Sequence, residues 1–327
     1  MKHLRHDMKK SSILLLSLWM AGQAAHAQVS VELVLDQEQY LRDEPLPIRV
    51  RVTNRSGQPL RLGADNSWLR FSIENIDQSP PAPVGRVSDV SVSGEFTVES
   101  AQVATRLVDL VPAFDLGEPG RYQVTATVSI RQWNDEITSR PRPFEIVRGV
   151  KLWEQEFGVS VKEGPPEARK YILQQARCNK NLMLYLRLTD LAGERIFRVA
   201  QLGPMVSFGQ PEAQLDRPGY LHVLVQSGAR SFLFSVVSPE GDLVLRQTYD
   251  YSTTRPTLRG NDEGHIFVQG GARRIQNSDI PASPSMGGAA LLDTNAPPTL
   301  SATNATNSAT HAATNAPVGP NTKPAKP

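Results

Sequence analysis

Cysteine is nearly missing from this sequence: Cys178 stands alone in 327 residues. An internal disulfide is therefore excluded, and stability has to come from packed cores. The lone thiol reads as a buried, inert group, because a nucleophilic cysteine needs a neighbouring base or positive charge that the sequence does not identify. Long apolar runs are missing too. The longest, Ile13 to Met20, falls short of the about 20 residues that cross a bilayer as a helix. Basic excess is also lacking once the N-terminal segment is set aside. The formal charge is +2, but residues 1–27 carry four Lys or Arg and one Asp, which leaves the rest near −1. Nucleic-acid binding draws on clustered basic charge, so that partner class is excluded. Nucleophile motifs are scarce as well. There is no Gly-x-Ser-x-Gly elbow, and Ser207 within Gly203-Pro204-Met205-Val206-Ser207-Phe208-Gly209 has the wrong spacing for one.

The segment rich in charge and apolar residues at the start has a recognisable order. Lys2, Arg5, Lys9 and Lys10 precede the apolar run, and Ala25-His26-Ala27 precedes Gln28. This is the pattern of a secretory signal peptide cleaved after Ala27. A retained N-terminal anchor is the alternative. The expectation is a secreted or periplasmic protein with no transmembrane segment in the mature chain and, since no Cys follows the apolar run, no lipid anchor.

Residues 28–149 alternate apolar and polar positions, the period of a strand with one buried face. Val29, Val31, Leu33 and Leu35 point one way while Ser30 and Glu32 point the other. Ile48, Val50 and Val52 alternate with Arg49, Arg51 and Thr53 and end in the turn signal Asn54-Arg55-Ser56-Gly57. Leu69, Phe71 and Ile73 repeat the pattern, and Tyr122, Val124, Ala126, Val128 and Ile130 extend it. Short strands punctuated by Gly, Pro, Asn and Asp predict a two-sheet sandwich. Within it, Glu118-Pro119-Gly120-Arg121-Tyr122-Gln123-Val124-Thr125-Ala126 resembles the late strand of bacterial immunoglobulin-like domains, where a Gly turn feeds a strand opening on Tyr. Tyr40 to Val52, with Asp43-Glu44-Pro45-Leu46-Pro47 leading in, resembles the second-strand region of the same modules. The resemblance implies an immunoglobulin-like β-sandwich in which the Tyr122 hydroxyl ties its strand to an adjacent corner. It is specific for fold and weak for function.

Residues 150–281 contain an internal echo. His222-Val223-Leu224-Val225-Gln226-Ser227-Gly228-Ala229-Arg230 returns as His265-Ile266-Phe267-Val268-Gln269-Gly270-Gly271-Ala272-Arg273, shifted by 43 with six identities in nine. A second echo pairs Leu184 to Gly193 with Phe232 to Gly241, each an apolar strand closing on a turn. Tyr171 to Arg177 is a candidate third copy of the His-bearing strand. A period in the forties fits one propeller blade per repeat. Two or three units are fewer than the four blades or more of a closed propeller, which predicts an open or sandwich-like β-domain of blade-like meanders, unless other copies complete a ring. Pro165-Pro166-Glu167-Ala168-Arg169-Lys170 is also a good helix start, so residues 166–177 stay open between helix and strand. From Ala282 to Pro327 no aromatic residue occurs and Ala, Thr, Asn, Pro and Ser dominate. Such a composition predicts a disordered low-complexity tail. The whole resembles secreted bacterial proteins that join an immunoglobulin-like module to a blade-like β-domain.

Chemistry-bearing residues are few. His222 and His265 occupy equivalent echo positions, beside Gln226 and Gln269, and could share a ligand site; alternatively each opens a strand and makes a local hydrogen bond. With His311 in the tail, no third ligand for zinc is evident, so no metal or cofactor is expected. Asp190, Asp216, Glu240, Asp242, Asp262 and Glu263 sit in predicted turns, which explains them without catalysis. Trp68, Trp133 and Trp153 read as core rather than as a carbohydrate platform. Arg230 and Arg273, closing the two copies of Gln-x-Gly-Ala-Arg, are the most singular feature. They read either as a surface for carboxylates or acidic sugars, which guanidinium groups bind bidentately, or as structural groups held against neighbouring loops. These readings converge on a non-catalytic binding or structural protein whose partner is a protein or an envelope polysaccharide. Two rivals are a protease inhibitor presenting Asp77-Gln78-Ser79-Pro80-Pro81-Ala82-Pro83, and a hydrolase with its site at the domain interface.

Overall fold

Extended backbone dominates: the described residues are mainly β-strand, with two short 3-10 turns and no α-helix. The structure, a computed structural model, describes residues 29–90, 92, 94–159 and 167–281. The expected leader, the expected tail and Pro165-Pro166 lie outside the described residues.

The first region is two sheets closing on one core. One sheet has the order β1 (Val29–Leu35), β3 (Pro47–Asn54), β8 (Val103–Asp109), all antiparallel. The other runs β2 (Gln39–Leu41), β11 (Arg142–Val147), β9 (Gly120–Ile130), β5 (Leu69–Asn75), β6 (Ala82–Pro83), with β10 (Asp135–Thr138) also on β9. β2 joins β11 in parallel, and the rest of that sheet is antiparallel. A small ribbon of β4 (Leu60–Leu62) and β7 (Phe96–Val98) covers one end. The alternating residues do what their spacing dictates. Val31, Val50, Val52, Phe71, Val124 and Val128 all enter one core, while Ser30, Glu32 and Arg51 face solvent. Tyr122 packs on Phe144 at 5.6 Å, and its hydroxyl donates to the Glu118 carbonyl at 2.7 Å. Trp68 is core, its indole N–H donating to Val92 O at 2.9 Å.

The second region is built from meanders. β12 (Val150–Val159), β13 (Glu167–Cys178), β14 (Asn181–Asp190) and β15 (Ile196–Pro204) form a four-stranded antiparallel sheet in chain order. The stretch left open between helix and strand is thus strand from Glu167 onward. β16 (Glu212–Leu215), β17 (Leu221–Gln226), β18 (Ser231–Val237) and β19 (Leu243–Asp250) repeat that order, and β22 (Ala272–Arg274) adds to the edge of β19. Between them, β20 (Thr257–Gly260) and β21 (Ile266–Gln269) form an isolated hairpin. The second echo is structural down to a bulge: the ladder shifts between Leu188 and Thr189 in the first meander and between Val236 and Val237 in the second.

These units stack as layers. Leu173, Leu184, Leu186 and Leu188 of the first meander meet Leu221, Val223, Val225 and Leu233 of the second. The other face of that second sheet, with Leu224, Phe232, Phe234 and Val236, is covered by Leu258 and Ile266 of the hairpin. The first meander in turn lays Ala176, Tyr185 and Val199 against Leu41 of the sandwich. Close approach between meanders needs glycine at one point. Gly203, at φ 146°, leaves room for Leu233, whose Cδ2 would lie 2.4 Å from an added Cβ. All described residues belong to one compact unit.

Candidate functional site

Arg230 ends the turn between β17 and β18, and Arg273 lies in β22. Although 43 residues apart in sequence, both reach the C-terminal end of β19. Arg273 stands opposite Tyr249 in the ladder. Arg230 stacks its guanidinium over the Tyr251 ring at 5.4 Å, donates to the Tyr251 carbonyl at 3.0 Å, and accepts the Tyr251 amide on its own carbonyl at 2.7 Å. Tyr251 directly follows the last residue of β19, and its amide bond to Arg230 carries the β18–β19 pairing one residue further, which sets its side chain on the face that carries Tyr249. Phe232, opposite Tyr249, lies on that face too, and the exposed Arg255 stacks over its ring at 5.3 Å. The result is a rim at one end of a five-stranded sheet, where Arg230 and Arg255 lie on aromatic rings and Arg273 stands in the neighbouring edge strand.

The opposite face of the same rim is charge-balanced. Asp250 accepts from the Ser231 hydroxyl at 3.0 Å and pairs with Arg274 at 3.2 Å. Neither Arg230 nor Arg255 has a carboxylate within salt-bridge distance among the described residues. Stacking a guanidinium on a ring fixes its plane and leaves donor edges for an incoming anion. Arg255, Arg274, Tyr249 and Tyr251 lie outside the echo, and only the fold brings them to Arg230 and Arg273.

The remaining candidates are placed differently. His222 is inside β17, 3% exposed, with Nε2 at 3.0 Å from Asp216 Oδ2 and its ring on Phe234. Asp216 also accepts the Tyr220 amide at 2.7 Å, so it closes a turn while partnering the histidine. His265 precedes β21, is partly exposed, and has Nδ1 at 3.4 Å from Glu263. The two histidines therefore occupy unlike surroundings, one between layers and one on a turn. Gln226 donates to the Gly228 and Ala229 carbonyls at 3.0 and 3.3 Å and so stitches its own turn. Gln269 ends β21, exposed. No group of three or more His, Cys, Asp or Glu among the described residues could hold a metal ion.

A second concavity lies where the sandwich meets the β13–β14 turn. Two adjoining hollows of about 560 and 430 Å³ share Glu38, Pro143, Asn179 and Lys180. Their other carboxylates are engaged: Asp36 pairs with Arg49, and Glu145 accepts from Gln39 at 2.6 Å. Cys178 is buried behind this wall, its thiol donating to Gln39 O at 3.2 Å, and burial raises its pKa above the ordinary value. The loop Asp77–Pro83 folds back on the sandwich: Asp77 holds Arg121 at 2.7 Å, and Ala82–Pro83 pairs with Glu74–Asn75. Trp133 lies on the surface, whereas Trp153 packs against the core between the two meanders. No helix among the described residues is long and apolar enough to cross a membrane.

No protein-family profile matches the chain, and no curated protein matches it at significant similarity. Among solved structures, the crystal structure of Spo0M, a sporulation control protein from Bacillus subtilis, is similar over 54% of this chain and 90% of that chain, with 10% identity and a TM-score of 0.27. A likeness that slight carries no argument about what this chain does.

Proposed function

We infer that the protein is a secreted or envelope-associated, non-catalytic binding protein that acts by surface recognition, and that its ligand face is the arginine rim of the second meander. The observation that carries this reading is the convergence of Arg230 and Arg273 on Tyr251 and Tyr249 of one strand end, with Arg255 stacked beside them. Arg230 and Arg255, each over an aromatic ring and without a carboxylate at salt-bridge distance among the described residues, favour ligands bearing carboxylates, such as a uronic-acid polymer or an acidic protein segment. The sandwich then serves as a spacer. An immunoglobulin-like assignment for it is supported by the bond from the Tyr122 hydroxyl to the Glu118 carbonyl and by the strand order β11-β9-β5 facing β1-β3-β8. Export rests on the leader pattern of residues 1–27.

Binding of polygalacturonate to the processed protein, with Arg230→Ala, Arg255→Ala and Arg273→Ala variants alongside, tests the reading. A hydrogen bond to a charged group contributes about 1.5 to 3 kcal/mol, so each substitution should weaken binding about tenfold or more. Binding that the triple variant leaves unchanged, together with recovery of the same envelope partners in a pull-down, would overturn the assignment.

A further inference from the structure

The third meander stops after two strands. β20–β21 stands where β12–β13 and β16–β17 open the earlier units, yet the chain then turns away through Gly270 and Gly271, at φ 82° and 69°, and β22 pairs with β19. Among the described residues β21 is paired on one side only. The Asn261 amide donates to the His265 carbonyl at 2.9 Å, which sets the phase of the hairpin. Bonded and non-bonded positions alternate along an antiparallel pair. Phe267 and Gln269 thus bond back to β20, and the N–H and C=O groups of Ile266 and Val268 point outward. The side chains divide the other way. Ile266 and Val268 pack on the second meander, while Phe267 lies half-buried on the outer face. The strand reads Ile266-Phe267-Val268-Gln269, with no charge, proline or bulge to block edge pairing.

We propose that β21 pairs with β21 of a second copy of this chain, antiparallel about a two-fold axis at Phe267. Ile266 then faces Val268 of the partner subunit, and each exchanges both its N–H and its C=O. Phe267 meets Phe267 of the partner subunit at the close, non-bonded position, where aromatic pairs stabilise a sheet. Three features single out a copy as the occupant. The pairing sets no like charges opposite each other, because the strand has none. A two-fold interface needs a self-complementary surface, and this register supplies one. Two half-meanders also make one sheet with the strand count of the first meander. Such pairing is independent of the arginine rim.

A ladder this short predicts a weak, reversible dimer that forms only at high protein concentration. Sedimentation velocity on the processed full chain should show mass doubling with concentration, and Phe267→Asp, which sets two carboxylates face to face, should leave a folded monomer. Phe267→Cys should cross-link to itself under mild oxidation, whereas Thr257→Cys, one strand back, should not. Hydrogen exchange at the Ile266 and Val268 amides should slow as the dimer forms. A monomer at every concentration, a dimer that survives Phe267→Asp, or slow exchange of those amides in the monomer would each overturn the proposal, the last by showing that the chain covers its own edge.

Discussion

The sandwich and the meanders both consist of antiparallel strands, but they bury them differently. In β3 the buried residues Ile48, Val50 and Val52 alternate with Arg49, Arg51 and Thr53, so one face meets the core and the other meets water or a polar neighbour. In β17 and β18 nearly every residue is buried, from Leu221 to Val225 and from Phe232 to Val237. The second meander has a layer on each face. A sheet covered on both sides reads as a continuous apolar run rather than as an alternation. This explains His222, too: a polar residue in such a strand needs a partner within the fold, and Asp216 supplies it.

The difference breaks most sharply under truncation. Leu221→Ala and Leu224→Ala empty opposite faces of one strand, and each should cost about 2 to 5 kcal/mol. In the sandwich, Ile48→Ala should cost as much, but its neighbour Arg51→Ala, which loses only an exposed pair with Glu32, should cost less than about 1 kcal/mol. Urea unfolding of the four variants decides the matter. If Leu221 or Leu224 tolerated alanine as Arg51 does, the sheet would not be a two-sided layer.

A smaller effect sharpens how the layers are joined. Tyr171 of β13 stacks on Phe157 at 4.2 Å and donates its hydroxyl to Ser238 O at 2.7 Å and Gly219 O at 3.2 Å, both in turns of the second meander. Burial drives its phenol pKa far above the ordinary range, so the hydroxyl stays a donor. Tyr171→Phe removes the donor while keeping the ring, and should cost about 1 to 2 kcal/mol. An unchanged unfolding midpoint would mean that those carbonyls are satisfied elsewhere.

The same contrast accounts for what could be read from residues alone. β1, β3, β5 and β9 follow from alternation because one solvent face leaves its polar imprint. Both copies of the echo fall on a strand followed by a turn, but a repeat in sequence does not reveal that β21 is paired on one side only among the described residues or that β22 crosses to β19. Local preference copies with a repeat; non-local pairing does not. β13 was ambiguous because its start has a helix-like composition, and tertiary packing on Leu186 and Leu221 decides for strand. At the candidate site, Arg230 and Arg273 were visible as a repeated motif. Arg255, in the loop between Tyr251 and Thr257, carried no signal, since only folding sets it over Phe232.

The smallest expected effect lies where the two regions meet. Glu44, 8% exposed, accepts the Leu41 amide at 2.7 Å and the Gln37 side chain at 3.1 Å. Leu41 itself packs against the first meander. Burial raises the Glu44 carboxyl above its ordinary value of 4.5, and the two hydrogen bonds offset this only in part. The folded chain therefore holds this proton more tightly than the unfolded chain. Glu44 makes stability fall as pH climbs from the ordinary carboxylate range to the raised value, with no further change above it. Glu44→Gln keeps an acceptor for Leu41 and removes the ionisation, so its urea midpoint should lack that part of the descent. A Glu44→Gln profile parallel to wild type throughout the mildly acidic range would place the pH response elsewhere and leave the junction insensitive to charge.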